Sequence, residues 1–470
     1  MTKSLRYVSL TLCLLFLPSV VFGSGIARSG LGSKSNAMGG AFRAISDDYT
    51  AAFWNPAGLG QLETSTVGLI ADFITPNLYY TPKTGRLGYS DGLEIRNKAE
   101  TIFVPAMGGF YSMQRGETRY VFGLGIYVPF GSSTEWNTYT PPPGYSSSPE
   151  ITEFPEFNRK SSLRTIDVHP ALGIRFNDKI SVGLGMSFQY GAVEFIRTAF
   201  QPSGFPYAPY DLIPIDTKME ADGWGIGFNT GILFTPNDKL RFAITARTGI
   251  KMEMEGTATL TAYMPTTTEP LFLAAAPTLF IGGTLASKPD AKADLTTPAE
   301  LGFGLAYQLT DKMLVSFDVS QTYWRSAIDV VDIEIDGDSP FIDAATGQPI
   351  PATDSKLYGR FDDTIRLSFG LEYELMPTLM LRGGYYFDET AVPNQSYVPT
   401  WTDVGDRNVF SVGFAYDLGK FTVEADYQYT ALEDRTVATQ SFDDEGAPLN
   451  LPGEYTGSAG TVHTSFIYNF

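Results

Sequence analysis

The sequence predicts an all-β fold: a fourteen-stranded antiparallel transmembrane β-barrel with an N-terminal hatch plugging the lumen. Three observations carry this expectation. Segments with one apolar, aromatic-ended face and one polar face recur from about residue 64 onward. The links between them alternate short with long, the asymmetry of barrels that turn tightly on one side of a bacterial outer membrane and loop freely on the other. Residues 24–63 precede the first alternating segment, do not alternate themselves, and are too long for a lead-in.

Taken in order, Lys3 and Arg6 stand before an apolar run from Val8 to Phe22, and Val21-Phe22-Gly23 offers a processing site. Residues 1–23 are therefore expected to be a signal peptide, with Ser24 the first mature residue. The single cysteine, Cys13, falls inside that segment, and Leu12 directly before it is too large for a lipoprotein box. A mature chain without cysteine folds without disulfides and must rest on a large core or on a closed sheet in lipid. Charged residues are sparse at 18% and aromatics reach 14%, yet no mature stretch supplies the roughly 18 consecutive apolar residues of a membrane helix. A net charge of −19 argues against nucleic acid as a partner.

Residues 24–63 are expected to fold back as the hatch and residues 64–470 to form the barrel. Among the staves, Ile180, Val182, Leu184, Met186, Phe188 and Tyr190 oppose Ser181, Gly183, Gly185, Ser187 and Gln189. Ile365, Leu367, Phe369 and Leu371 likewise oppose Arg366, Ser368 and Glu372, and Phe421, Val423, Ala425 and Tyr427 oppose Thr422, Glu424 and Asp426. A soluble sandwich gives the same alternation, so the connections decide. Short links fall at 115–118, 177–179, 236–239, 310–312, 376–378 and 418–420. Long ones cover about 76–100, 131–160, 198–216, 257–298, 331–360, 389–405 and 431–459. Six short and seven long connections join fourteen strands. Pro170, inside one stave, predicts a bulge or an interrupted pairing. Gly123, Gly125 and Pro105 are candidates for a kink that opens the wall, or, for the glycines, for mere relief of crowding.

The last segment places Phe466, Tyr468 and Phe470 on one face and His463 and Ser465 on the other. It resembles the closing strand of outer-membrane barrels, which the barrel assembly machinery reads as an address. That implies the cell outer membrane of a Gram-negative bacterium, with lipid and lipopolysaccharide as surroundings, and a monomer, since a closed barrel has no free edge.

A sharper resemblance lies in the hatch. Gly39-Gly40-Ala41, Ser46-Asp47-Asp48 and Ala51-Ala52-Phe53-Trp54-Asn55-Pro56-Ala57-Gly58-Leu59 resemble the N-terminal hatch of the FadL/TodX family of outer-membrane transporters for hydrophobic compounds. Leu381 to Asn394, with its Val392-Pro393 pair, and then Asp406-Arg407 and Phe410 to Tyr416, follow in family order. The resemblance implies a passive transporter of long-chain fatty acids or aromatic hydrocarbons. In it the ligand lands among the external loops, moves to a pocket inside the barrel, and leaves sideways through the wall once the hatch rearranges. Asn55, Pro56 and Ala57 match the hatch motif that packs against the kinked strand, where Asn55 would hydrogen-bond unpaired strand groups. Ser24, Gly25 and Ile26 would lie near the pocket.

Other ligand contacts are read from the residues. Leu271, Phe272, Leu273, Leu279 and Phe280 sit in an apolar loop where a polar one is expected, a binding surface or a loop packed on its neighbours. Arg241, Arg247, Arg366 and Arg382 face the lumen, where they either hold a fatty carboxylate or neutralise Glu372, Glu374, Glu424 and Asp426. With two histidines, no nucleophile elbow and no Cys/His metal cluster, neither enzymatic activity nor a metal or other cofactor is expected. The competing reading is a barrel-anchored surface adhesin or receptor acting through long acidic loops, which would need no hatch.

Overall fold

A computed structural model describes residues 25–85, 90–98, 100–139, 159–208, 210–343, 346–444 and 446–470. Ser24 and the expected signal peptide lie outside the described residues. The wall consists of β1 (Thr66–Pro82), β2 (Ile102–Arg115), β3 (Thr118–Tyr127), β4 (Arg159–Arg175), β5 (Ile180–Pro202), β6 (Leu212–Asn237) and β7 (Leu240–Arg247). It continues through β8 (Ala299–Thr310), β9 (Met313–Tyr323), β10 (Thr364–Met376), β11 (Leu379–Asp388), β12 (Arg407–Asp417), β13 (Phe421–Leu432) and β14 (Gly453–Asn469). Neighbours in sequence pair antiparallel, and β1 pairs with β14 from Thr66↔Asn469 to Pro82↔Gly453, closing a fourteen-stranded barrel without an edge.

The wall is inside-out relative to a soluble sandwich. Phe122, Leu184, Phe228, Ile244, Phe369, Phe410 and Phe466 are exposed, whereas Asp167, Gln189, Asn229, Asp318, Ser368, Asp426 and His463 are buried. Only a surrounding of hydrocarbon makes that arrangement favourable. Each of the six expected short turns joins two staves.

The long connections are shorter than their composition suggests. β5 and β6 run 23 and 26 residues and stay in register from Ile180↔Phe234 to Pro202↔Leu212, so the loop expected at 198–216 shrinks to 203–211. Ile250–Tyr263 continues β7, Asp290–Thr297 leads into β8, and Val330–Asp336 with Ser355–Tyr358 extends the wall beyond β9 and β10. About 9–11 residues suffice to cross the bilayer. Past that height neither face meets lipid, so apolar alternation lapses while the hydrogen-bond ladder continues.

Residues 25–62 pack within the lumen. Their helices, α1 (Ser33–Ala37), α2 (Ala51–Trp54) and α3 (Pro56–Leu59), are too short to persist alone and are held by the wall. α1 lies on β11–β14, where Gln428 Nε2 donates to Asn36 O (3.1 Å) and Ser33 Oγ to Asp426 (2.7 Å). Gly39, at φ +62°, turns the chain away so closely that a Cβ there would stand 2.5 Å from the Tyr385 nitrogen. α3 lies on β4–β6.

Candidate functional site

The wall has an irregular seam between β2 and β3, and the lumenal segment meets it. β2 and β3 pair from Arg115↔Thr118 to Met107↔Ile126 and no further, while Ile102 to Ala106 keep partners on β1. At this height β3 breaks: Val128, Pro129 and Phe130 stand opposite only Thr165 and Ile166, between the pairs Tyr127↔Asp167 and Gly131↔Arg164. This is a β-bulge, and the missing N–H of Pro129 explains why the ladder stops there. The chain resumes as a strand at Gly131–Trp136, and the seam closes again where Lys98 N donates to Glu135 O (3.0 Å). In between, the chain's own N-terminal residues take the vacant edge. Arg28 N donates to Pro129 O (3.1 Å), Gly131 N donates to Ile26 O (3.0 Å), and Ala27 bridges Phe130 antiparallel.

Of the two readings of the glycine candidates, the structure shows relief of crowding rather than a kink. Gly123 and Gly125 sit inside the continuous ladder, paired with Phe110 and Gly108. Their service is space: a Cβ on Gly125 would lie 1.8 Å from the Tyr127 ring, and one on Gly123 would lie 3.1 Å from Leu59. The break itself is at Val128-Pro129, just ahead of the long link expected at 131–160. Pro105 borders the seam, in the stretch of β2 that lacks a β3 partner among the described residues. At Pro170 the pairing to β5 lapses between Val168↔Phe188 and Ala171↔Gly185 without a change of register, an interruption rather than a bulge.

Two cavities flank the Ile26–Arg28 strand. The first, about 590 Å³ of empty space counted with its mouth, is lined by Ile26, Leu163, Val193, Met219, Met254, Ile333 and Trp401, with Ser132 and Ser161. The second, about 610 Å³, is polar and bordered by Ala27, Arg28, Phe53, Pro129, Phe130, Arg247, Glu300 and Arg366. Ile26 thus lines the first cavity. Gly25 is one step removed: its N–H donates to Asp403 (3.0 Å), and at φ +59° its bare Cα lies against Trp324. Asp403 also accepts from Ala391 N (2.7 Å) and pairs with Arg407. Burial raises the Asp403 carboxyl above the usual range, opposed by Arg407 and by these two N–H groups.

Asn55 departs from the expected role. Its Oδ1 accepts from Ala57 N (3.0 Å), capping α3 with Pro56 at the first turn, and its Nδ2 donates to Arg43 O (2.8 Å). Both partners belong to the lumenal segment, not to unpaired strand groups. What meets the wall is mostly backbone: a Cβ on Gly183 would stand 2.1 Å from the Pro56 carbonyl carbon and one on Gly173 2.7 Å from the Gly60 nitrogen, while one on Gly231 would stand 2.0 Å from the Asn55 side-chain Oδ1. Three inward glycines on β4, β5 and β6 thus form a bed for Asn55-Pro56-Ala57, a convergence that sequence spacing cannot display.

Of the lumenal arginines, Arg382 takes the expected neutralising role. Arg382 donates to Glu372 and Glu424, both at 2.7 Å, and lines neither cavity. Arg366 donates to Asp388 (2.7 Å) and Ser29 O (2.8 Å), and Arg247 to Phe53 O (2.8 Å). His169 has a serine and an amide beside it, but Ser187 and Asp167 meet the same Nδ1 (3.1 Å each) while Asn229 Oδ1 meets Nε2 (3.0 Å). All four are buried, and Asn229 Nδ2 donates to Ala52 O (2.9 Å), so the set bolts α2 to the wall.

In the external loops, the apolar run divides. A short helix α4 (Pro270–Ala275) turns Phe272 inward, against Phe205 at 5.1 Å and stacked on Tyr207 at 5.6 Å. Leu279 and Phe280 are buried in the same cluster, whereas Leu271 is 81% exposed and Leu273 40%. At the other end of the wall Phe466 and Phe470 point outward, with Tyr468 5.0 Å from Phe470.

A closed barrel with a greasy exterior, an internally packed leading segment and an apolar chamber defines a transport protein of the Gram-negative outer membrane. The chain belongs to the family described as outer membrane protein transport protein (OMPP1/FadL/TodX), whose model matches residues 24–470. Similar proteins include the long-chain fatty acid transport protein of Escherichia coli K12, 24% identical over 470 residues and spanning 94% of this chain and 93% of that one. Outer membrane protein P1 of Haemophilus influenzae strain Rd is 23% identical over 459 residues, 88% of each chain. Among solved structures, a Pseudomonas aeruginosa FadL homologue superposes with a TM-score of 0.75 at 18% identity, covering 95% of this chain and all of that one. The Pseudomonas putida toluene transporter TodX gives 0.67 at 17% identity, covering 94% and 99%.

Proposed function

We propose that the protein passively carries hydrophobic small molecules inward from the cell surface and releases them sideways into the membrane through the β2–β3 seam. Residues 25–63 serve as the plug, and its leading strand is the moving part. The observation that carries this reading is the substitution of Ile26–Arg28 for the missing β2 partner of the β3 bulge. A removable strand holds shut a stretch where β3 lacks its β2 ladder among the described residues, and it does so between the two cavities. An apolar cargo gains nothing from a watery pore but stays in apolar surroundings if it leaves through the side. Relatives whose names record fatty acid or toluene transport agree in kind. The test is uptake of a labelled fatty acid and of labelled toluene by cells deleted for this chain and then complemented. Uptake unchanged by deletion and complementation would remove the proposal.

A further inference from the structure

We infer that the apolar chamber selects uncharged molecules, hydrocarbons or esters, over free carboxylates, an assignment that rests on the transport reading above. Among the described residues, no Lys, Arg or His lines the chamber; its polar groups are the hydroxyls of Ser132 and Ser161 and the indole of Trp401. A carboxylate entering it sheds its hydration and finds no counter-charge, whereas an apolar ring or chain only gains from burial.

Two lysines beside lining residues are already engaged. Lys160, beside Ser161, lies 2.8 Å from Glu194 and 3.5 Å from Glu135. Lys218, beside Met219, lies 2.9 Å from Glu220 and 3.5 Å from Glu194. Across the Ile26–Arg28 strand the situation is the same. Arg28 is paired with Asp72, Arg366 is held by Asp388 and Ser29 O, and Arg247 sits on the carbonyl and ring of Phe53. A carboxylate docking at Arg28 or Arg366 displaces an acid already in place, and Arg247 lies on the second cavity, outside the apolar chamber.

The experiment compares cis-parinaric acid at pH 8 with its methyl ester, two fluorescent probes that differ in charge and by a single methyl group, on the purified full-length barrel. The ester is expected to bind at least about tenfold more tightly than the acid. Ala293→Trp, which fills the chamber, is expected to weaken ester binding, which places the probe there. Val193→Lys and the less buried Leu357→Lys, each checked for folding by the heat-dependent gel shift of barrels, are expected to turn the preference toward the acid. Equal or tighter binding of the acid by the unaltered protein overturns charge selection alone, as does an unchanged preference in folded lysine variants. Binding of neither probe overturns the transport reading itself, and this inference with it.

Discussion

Ala27 of the lumenal segment and Phe130 of the β3 bulge form an antiparallel bridge, so the lumenal segment completes the wall where β3 lacks a β2 partner among the described residues. Opposed residues of an antiparallel pair have Cα atoms about 4.5–5.5 Å apart, within the range a disulfide spans. With the sole natural cysteine at position 13, Ala27→Cys with Phe130→Cys is expected to form one cross-link under mild oxidant. Hydrophobic uptake is expected to fall several-fold and to return with dithiothreitol. A verified cross-link that leaves uptake intact would exclude the leading strand as the moving part.

The glycine bed makes a second prediction. Gly183→Leu drives a side chain into the Pro56 carbonyl, where 2.1 Å is available even for a Cβ. Overpacking of this kind costs about 1–3 kcal/mol. It is borne by the packing of the lumenal segment rather than by the ladder, which Gly183 shares through backbone groups alone. The barrel is expected to assemble while its bilayer conductance and the sensitivity of cells to bulky antibiotics rise. Gly383→Ala, whose Cβ would meet nothing closer than Ser411 O at 3.9 Å, is the control expected to change neither.

Arg382 tests the division between ligand contact and structural charge. Arg382→Ala leaves Glu372 and Glu424 facing each other with their shared cation gone, a loss of about 3–5 kcal/mol for a buried pair broken on one side. Reversible urea unfolding in lipid is expected to show that loss. Adding Glu372→Gln and Glu424→Gln is expected to recover most of it, with the relative uptake of acid and hydrocarbon cargo unchanged throughout. A shift in cargo preference would return the guanidinium to the ligand's path.

Much of this architecture was legible because its signals are local. Asn177-Asp178, Asn237-Asp238 and Gly419 mark tight turns by turn chemistry, and alternation through Phe188 or Phe466 gives each stave its lipid side. The bulge at Val128-Pro129-Phe130 was not, because a proline between apolar residues reads equally as the start of a loop. Nor were the upper reaches of β5 and β6: Thr198, Gln201 and Asp216 lie where neither face is wetted by lipid, so pairing persists without a hydrophobic period. The bed of Gly173, Gly183 and Gly231 was hidden for another reason. Each glycine alone resembles ordinary crowding relief, and their common partner lies more than a hundred residues away in the chain.

The external cluster separates packing from capture within two adjacent residues. Phe272 contacts Phe205, Tyr207 and Phe280, so Phe272→Ala removes aromatic contacts worth about 0.5–1.5 kcal/mol each beyond their buried area. It is expected to make the 264–289 loop cleavable by added protease on intact cells. Leu271 is mostly exposed and holds nothing together, so Leu271→Ser is expected to change stability by less than about 0.5 kcal/mol and to leave the loop resistant. If the cluster is where hydrophobic cargo first lands, Leu271→Ser still lowers the uptake rate at limiting cargo, because it removes apolar surface that only a ligand can cover. An unchanged rate in that variant, beside a reduced one in Phe272→Ala, would assign the cluster to loop packing and put the landing surface elsewhere.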